Sequence, residues 1–256
     1  MNNVKNITLS IFVPCLNEEK NITDALNMIK EAIQNINYEI LVVDDASKDK
    51  TIEMVEKFKN NNPNLDIKIL RNERNKGLGF GYFAAAHKAS GKYYMPVFGD
   101  SQQTSKSIKK LMSNIGKADM ILSYYDFSYK SIFSDTAEKR SLIRKVISKL
   151  FTNTINLITF NKIKYYNGPA IHLLENVKLC NTDSNGFGYH AELITFLLNS
   201  NKTYMEVELE STCRKSGTSK AVSLKNSLSV CRSVIVIFLN QIIHIIKKLL
   251  KTKKSI

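Results

Sequence analysis

Asp44 and Asp45 are adjacent carboxylates that end an apolar, β-branched run, Tyr38–Val43. Such a run suits a strand covered on both faces of a parallel sheet. Acids at its C-terminal end would lie where open α/β sheets bind ligands. Three more stretches carry ligating groups after a short apolar run: Pro14–Glu19, Arg71–Gly79 and Asp100–Gln102. Converging at one sheet edge, they would make a cleft of carboxylates, amides, cations and glycine turns. That mixture suits a nucleotide with phosphates and a divalent cation, with carboxylate and amide oxygens holding Mg2+ or Mn2+ against a diphosphate. Gly77-x-Gly79-x-Gly81 lacks the G-x-G-x-x-G spacing of dinucleotide sites and follows a third strand behind Arg and Lys, which argues against that reading.

Positioning these groups takes a regular scaffold. Leu9–Pro14 reads as a first strand, followed by a helix whose stripe runs Ile22, Ala25, Leu26, Ile29, Ala32, Ile33 and Ile36. After the second strand, Ser47 can cap a helix carrying Ile52, Val55 and Phe58. Ile67–Leu70 reads as a third strand, 82–89 as an alanine-rich helix, Tyr93–Val97 as a fourth strand, Ile108–Ile115 as a helix and Met120–Leu122 as a strand. Alternation of this kind predicts an α/β fold with a mostly parallel sheet and right-handed crossovers. Further on, Leu142–Ile158 repeats apolar residues at helical spacing, with Lys139, Arg140, Arg144, Lys145 and Lys149 on its polar side. A turn at Tyr165–Pro169, an apolar segment Ala170–Leu174, a helix Phe187–Asn199, a strand Tyr204–Leu209 and a basic loop Arg214–Lys220 follow.

From Ser227 to Ile256 the composition changes. The longest unbroken apolar run, Val234–Leu239, falls short of the ~20 residues a membrane-spanning helix needs. Asn240, His244, Lys247, Lys248 and Lys251 gather on one side, as in a helix lying in the membrane interface against anionic headgroups. The expected division is a body of 1–222, with a donor half of about 1–125 and an acceptor half of about 126–222, and an amphipathic, membrane-associated tail of 223–256.

The chain has 256 residues, 43% hydrophobic, with 37 Lys+Arg against 23 Asp+Glu and a formal charge of +14. A field of that sign attracts polyanions. Its basic residues are not interleaved with aromatic stacking groups, which argues against nucleic acid. The four cysteines, Cys15, Cys180, Cys213 and Cys231, show no C-x-x-C pairing, which favours free thiols in a reducing compartment. Charge arrives too soon after Leu9–Val13 for a secretory signal. The expected location is cytoplasmic, peripheral on the inner face of the cell membrane.

Val13-Pro-Cys-Leu-Asn-Glu-Glu19, Val42-Val-Asp-Asp-Ala-Ser-Lys-Asp-Lys-Thr51, Asn75-Lys-Gly-Leu-Gly79 and Ala89-Ser-Gly-Lys-Tyr-Tyr94 before Asp100 occur in an order that resembles family 2 glycosyltransferases of the GT-A fold. Gly186-Phe-Gly-Tyr-His-Ala-Glu192 and Val207–Lys220 resemble the closing region of the dolichol-phosphate and polyprenyl-phosphate sugar transferases. The resemblance covers roughly residues 8–220. It implies that Pro14, Leu16 and Glu18 line a base and ribose pocket, with Asp45 on the base and Asp44 beside it. Lys76 and Gly77 then lie near the ribose or diphosphate, and Arg214 and Lys220 belong to a basic loop closing over phosphates. Asp100 occupies the second acidic position of the Asp-x-Asp metal motif, and Gln102 matches a further metal ligand. The first acidic position is Phe98 here, which removes one expected carboxylate.

The implied reaction is inverting transfer of a hexose from a UDP- or GDP-sugar to a polyprenyl-phosphate or other lipid-linked acceptor, in cell-envelope glycan assembly. Cationic groups and the metal at Asp100 would stabilise the departing nucleoside diphosphate. A lipid phosphate is already anionic, whereas a hydroxyl acceptor needs a general base. Asp126, Asp183, His190 and Glu192 are the candidates, Glu192 or His190 first. His172 reads as structural. Two alternatives stand beside this: transfer to a saccharide hydroxyl of lipopolysaccharide or capsule, and a non-catalytic module binding nucleotide sugar or membrane, which Phe98 motivates.

Overall fold

The computed structural model describes residues 6–98, 103–125, 142–180, 182–210 and 224–253. Strand β2 (Tyr38–Asp44) is buried along almost its whole length, because alternate residues feed separate cores. Leu41 and Val43 enter one, and Ile40 and Val42 the other. Strand β1 (Leu9–Cys15) does the same, with Phe12 on one face and Leu9, Ile11 and Val13 on the other. Period-two side chains on a sheet covered on both faces account for the unbroken apolar runs.

Five more strands complete the sheet: β3 (Asp66–Arg71), β4 (Tyr93–Pro96), β5 (Met120–Tyr125), β6 (Ala170–Leu173) and β7 (Tyr204–Leu209). Their order is β3-β2-β1-β4-β6-β5-β7. Strand β6 runs antiparallel to both β4 and β5, and the other pairs are parallel. The expected mostly parallel α/β sheet is therefore present.

Helices α1 (Ile22–Ala32), α2 (Thr51–Asn61) and α4 (Ser105–Met112) pack on one face. The other face carries α3 (Leu78–Lys88), α5 (Leu142–Thr159), α6 (Leu174–Leu179), α7 (Tyr189–Asn199) and α8 (Leu224–Lys253). Cys15 and Cys180 are buried free thiols and Cys231 is an exposed one.

Several boundaries differ from the periodicity. Helix α1 stops at Ala32, where Ile33 turns extended. Helix α4 starts early because the Thr104 side chain accepts the Ser107 N–H. Helix α3 begins at Leu78, so Gly79 and Gly81 lie inside it rather than in a loop before it. The tail differs most. Within α8, Leu228–Lys251 is long and apolar enough to cross a membrane by length and composition, because Asn240, Gln241 and His244 interrupt its apolar runs without diluting them below that level. Its first half is also part of the folded body, with Ile237 buried and Val230 and Val234 packed against the same core as α5 and α7.

Candidate active site

The sheet register places Cys15 beside Asp44 and Asp44 beside Arg71, so three strands end level with one another. The loops beyond them are bolted together. Asn17 N–H donates to Ser47 Oγ at 2.9 Å, Glu18 N–H to Thr51 Oγ1 at 2.8 Å and Glu19 N–H to Asp49 Oδ2 at 3.1 Å. In return, Lys48 N–H donates to Asn17 Oδ1 and Lys50 N–H to Glu19 Oε2. Asn17 and Ala46 both adopt left-handed backbone, with φ of 55° and 69°. For alanine that conformation is strained, and such strain persists only where the surroundings over-determine it.

Asp44 is fully buried. Its Oδ1 accepts the Ser47 N–H, and Arg71 Nε lies 3.6 Å from its Oδ2. Asp45 is half-buried and holds the next loop: Oδ1 accepts Asn72 Nδ2–H and the Lys76 N–H, and Oδ2 accepts the Gly77 N–H at 2.9 Å. A carboxylate offers about four lone-pair positions. Three are taken here by described residues. Beside it opens a hollow of about 490 Å³ lined by Ala46, Ser47, Lys48, Arg71, Asn72 and Glu73. The Lys76 ammonium turns away over the Phe80 ring, 4.6 Å from its centroid. Under this cleft the Cys15 thiol is pushed far up by burial and by Asp44, Glu18, Asp49 and Asp45.

The glycines serve a contact that spacing does not reveal. A Cβ on Gly77 would sit 2.1 Å from Asn185 O, and one on Gly79 2.1 Å from Ser184 O. Gly79 N–H donates to Asn185 O at 3.1 Å. Thus the loop after β3 lies directly on the segment before α7. That segment is in turn seated on α8, where a Cβ on Gly188 would meet Ser233 Oγ at 2.1 Å and Arg232 donates to Asp183 O.

At the end of β4, Val97 N–H donates to Phe12 O, and Phe98 N–H to Gln103 Oε1 at 2.9 Å. These bonds fix Val97 beside β1 and Phe98 against Gln103. Asp100 and Gln102 themselves lie outside the described residues, as do Asp126, Arg214 and Lys220. Among the described residues no group of three or more His, Cys, Asp or Glu could hold a metal. Carboxylate and amide oxygens at Asp100 and Gln102 are hard donors of the kind Mg2+ and Mn2+ take, with phosphates and water filling the remaining positions.

His190 and Glu192 occupy the first turn of α7 and face inward, 4% and 5% exposed. His190 Nε2 lies 2.9 Å from His172 Nε2, and its other ring nitrogen donates to the Tyr166 carbonyl. Those partners make His172 the donor between the rings. Burial holds His190 down to about 4, and burial with the neighbouring ring holds His172 well below the usual imidazole range. This buried neutral pair ties α7 to β6, a packing role rather than an exposed base. Glu192 Oε2 accepts the Thr182 hydroxyl at 2.5 Å, and its Oε1 is buried without a partner among the described residues.

The structure therefore brings Pro14, Leu16, Glu18, Asp44, Asp45, Lys76 and Gly77 to one edge, and buries His190 and Glu192 in the first turn of α7. Ser47, Asp49 and Thr51 were missed as site residues, although their alternation after Asp45 marks a shared loop face. Asn185 carried no local signal.

The sequence pattern described as Glycosyl transferase family 2 matches residues 10–173. The chain is 30% identical over 141 residues to a dolichol-phosphate mannosyltransferase of Pyrococcus furiosus, covering 55% of this chain and 38% of that protein. It is 28% identical over 173 residues to a dolichyl-phosphate beta-glucosyltransferase of Dictyostelium discoideum, covering 64% and 53%. The matched stretch thus spans about half or less of these relatives' own length. Among solved structures, glucosyl-3-phosphoglycerate synthase from Mycobacterium tuberculosis, in complex with Mn2+, UDP and glucosyl-3-phosphoglycerate, shares the fold. Its TM-score is 0.64 at 15% identity, over 92% of this chain and 80% of that one.

Proposed function

The chain belongs to glycosyl transferase family 2, and on that premise we propose that it moves a hexose, with inversion, from a UDP- or GDP-sugar to a polyprenyl-phosphate or other lipid-linked acceptor at a membrane surface. The observation that carries this reading is the convergence of Cys15–Glu18, Asp44–Asp45 and Lys76–Gly79 at one sheet edge, pinned through the Asp45 carboxylate. The sugar-transferase names of the relatives and the UDP and Mn2+ in the structural neighbour support it. The cytoplasmic, inner-face location and the division into a body of 1–222 and a membrane-associated 223–256 belong to the same proposal.

In the proposed chemistry an acceptor phosphate oxygen attacks the anomeric carbon as the bond to the diphosphate breaks. The electron pair leaves with the nucleoside diphosphate. Because that oxygen is already anionic, no proton has to be removed. Asp45 holds the loop of Lys76 and Gly77 against the donor, and Pro14, Leu16 and Glu18 line the base and ribose side. The resemblance assigns Arg214 and Lys220 to the phosphates. Asp100 and Gln102 hold Mg2+ or Mn2+, which when bound neutralises charge developing on the leaving diphosphate.

Glu192 favours a second reading, transfer to a saccharide hydroxyl, because its buried Oε1 lacks a partner among the described residues and a hydroxyl needs a base. Labelled GDP- and UDP-hexoses incubated with membrane lipid separate the two. Mn2+-dependent label in a mild-acid-labile lipid, lost in Asp100→Ala, supports the first. Label on a saccharide, lost in Glu192→Gln, supports the second. No transfer to either under any donor returns the chain to the non-catalytic binding role that Phe98 motivates.

A further inference from the structure

Helix α5 and helix α8 lie side by side on one face of the sheet, and each exposes large apolar side chains on the side turned away from it. On α5, Phe151 and Ile155 are buried in the core, Val146, Leu150 and Leu157 are exposed on the opposite side with Phe160 after them, and Ile147 is exposed at the flank of the buried stripe. Leu157 is 77% exposed and Phe160 79%, and contiguous exposed apolar patches mark sites of protein or membrane contact. On α8 the inward stripe runs Ser233, Ile237, Gln241, His244, Lys248, Lys251 at spacings of three and four. Its first three members are buried against the body, and the last two are exposed cations. The outward stripe runs Leu228, Ile235, Leu239, Ile242, Ile246, Leu249, all exposed. It covers about 32 Å at ~1.5 Å per residue.

We propose that α5 and α8 together form one in-plane platform whose outward stripes sink among the acyl chains of an anionic bilayer. The proposal rests on the membrane-surface reading above and goes beyond it in assigning α5, inside the family-matched region, to the contact. Three observations fix the occupant and its orientation. Neither helix contains an Asp or Glu, while Lys149, Lys247, Lys248 and Lys251 are exposed along them, a charge pattern complementary to anionic headgroups. A second copy is a poorer fit, because it would bring together two faces that carry cations and offer no carboxylate to pair them. Spanning is a poor fit too. Between Gln241, seated on the body and bonded to Asn199, and the first lysine, Lys247, only Ile242–Ile246 intervenes. That is roughly 8 Å at ~1.5 Å per residue, against a hydrocarbon core of ~30 Å.

The consequence for the site is orientation. Helix α8 carries the segment before α7 on Ser229 and Ser233, and that segment contacts Gly77 and Gly79. The platform therefore holds the cleft at a constant height above the lipid surface, within reach of an acceptor headgroup.

The chain has no tryptophan, so single Trp variants report position without interference. Leu157→Trp on α5, Leu228→Trp, Leu239→Trp and Leu250→Trp on α8, and Lys57→Trp on the opposite face are mixed with vesicles of phosphatidylglycerol and phosphatidylcholine carrying bromines at different acyl depths. The expected result is a blue shift and quenching at 157 and at all three α8 positions, at one common depth, with Lys57→Trp unaffected. Loss of binding in pure phosphatidylcholine is also expected. Quenching on α8 with none at 157 overturns the assignment of α5 and leaves the membrane reading standing. A steady change of depth from 228 through 239 to 250 overturns the in-plane orientation. Silence at every position refutes the membrane reading itself, and concentration-dependent sedimentation then identifies a second copy as the occupant.

Discussion

Gly77 N–H donates to Asp45 Oδ2 at 2.9 Å, joining residues separated by 32 positions in the chain. The neighbouring Lys76 N–H takes Oδ1 at 2.8 Å, so one carboxylate closes the loop after β3 against the end of β2. Charge-assisted bonds of this kind contribute about 1.5–3 kcal/mol each. Asp45→Ala is therefore expected to weaken UDP or GDP binding at least tenfold while the sheet persists. Calorimetric titration with each diphosphate and Mn2+ measures it, and unchanged affinity would remove Asp45 from the donor site.

The close approach at Gly79 leads to a second expectation. An alanine methyl there would meet backbone, Ser184 O at 2.1 Å, which cannot rotate away. Gly79→Ala should part the two segments and lower the melting temperature, with a cost on the order of 1–3 kcal/mol. Gly81→Ala, whose Cβ would find ordinary contacts from 3.4 Å, serves as the control and should melt close to the parent.

The His172–His190 pair sets a pH dependence. Burial keeps both rings neutral when folded, with His190 held down to about 4. Unfolded imidazoles protonate near ~6.5. As pH falls below that value, the unfolded chain takes up protons that the folded pair refuses, so stability drops until about 4 is reached. For His190 the loss across this window is on the order of 3 kcal/mol. Melting curves from neutral pH down to about 5 should shift steadily lower, above the range where ordinary carboxylates titrate. The dependence should flatten in His190→Gln. A flat parent profile would show that the pair is not neutral.

Phe98 stands where the family resemblance leads one to expect a carboxylate, and its N–H is held by Gln103 Oε1. Phe98→Asp adds a hard oxygen donor two positions before Asp100 in the chain. Transfer measured against Mn2+ concentration should then half-saturate at lower metal, by several-fold or more. An unchanged metal dependence would place position 98 away from the cation.

Much of the fold was legible because its signals are local. Apolar runs at Leu9–Val13 and Ile40–Val43 report a sheet covered on both faces, and the polar residues after them report where those strands end. The alternation of strands with amphipathic helices does the rest. Where tertiary contacts override periodicity, the reading failed. Helix α3 starts before its apolar stripe because Gly77 turns the chain at φ 93° and Gly79 lies against Ser184. His190 could be read as a base from its place near a helix start, yet burial against His172 gives it a structural partner instead.

The order of motifs along the chain carried by itself the resemblance to the family, and the period of its side chains carried the α/β class. Side-chain period is legible in sequence because it acts over a few residues. Only the tertiary structure decided that Asp45 spends three of its hydrogen bonds on its own protein, that Asn185 underlies the glycine loop, and that α5 shares an outward apolar face with α8. Each of these depends on residues far apart in sequence meeting across packed layers, and no local pattern encodes such a meeting.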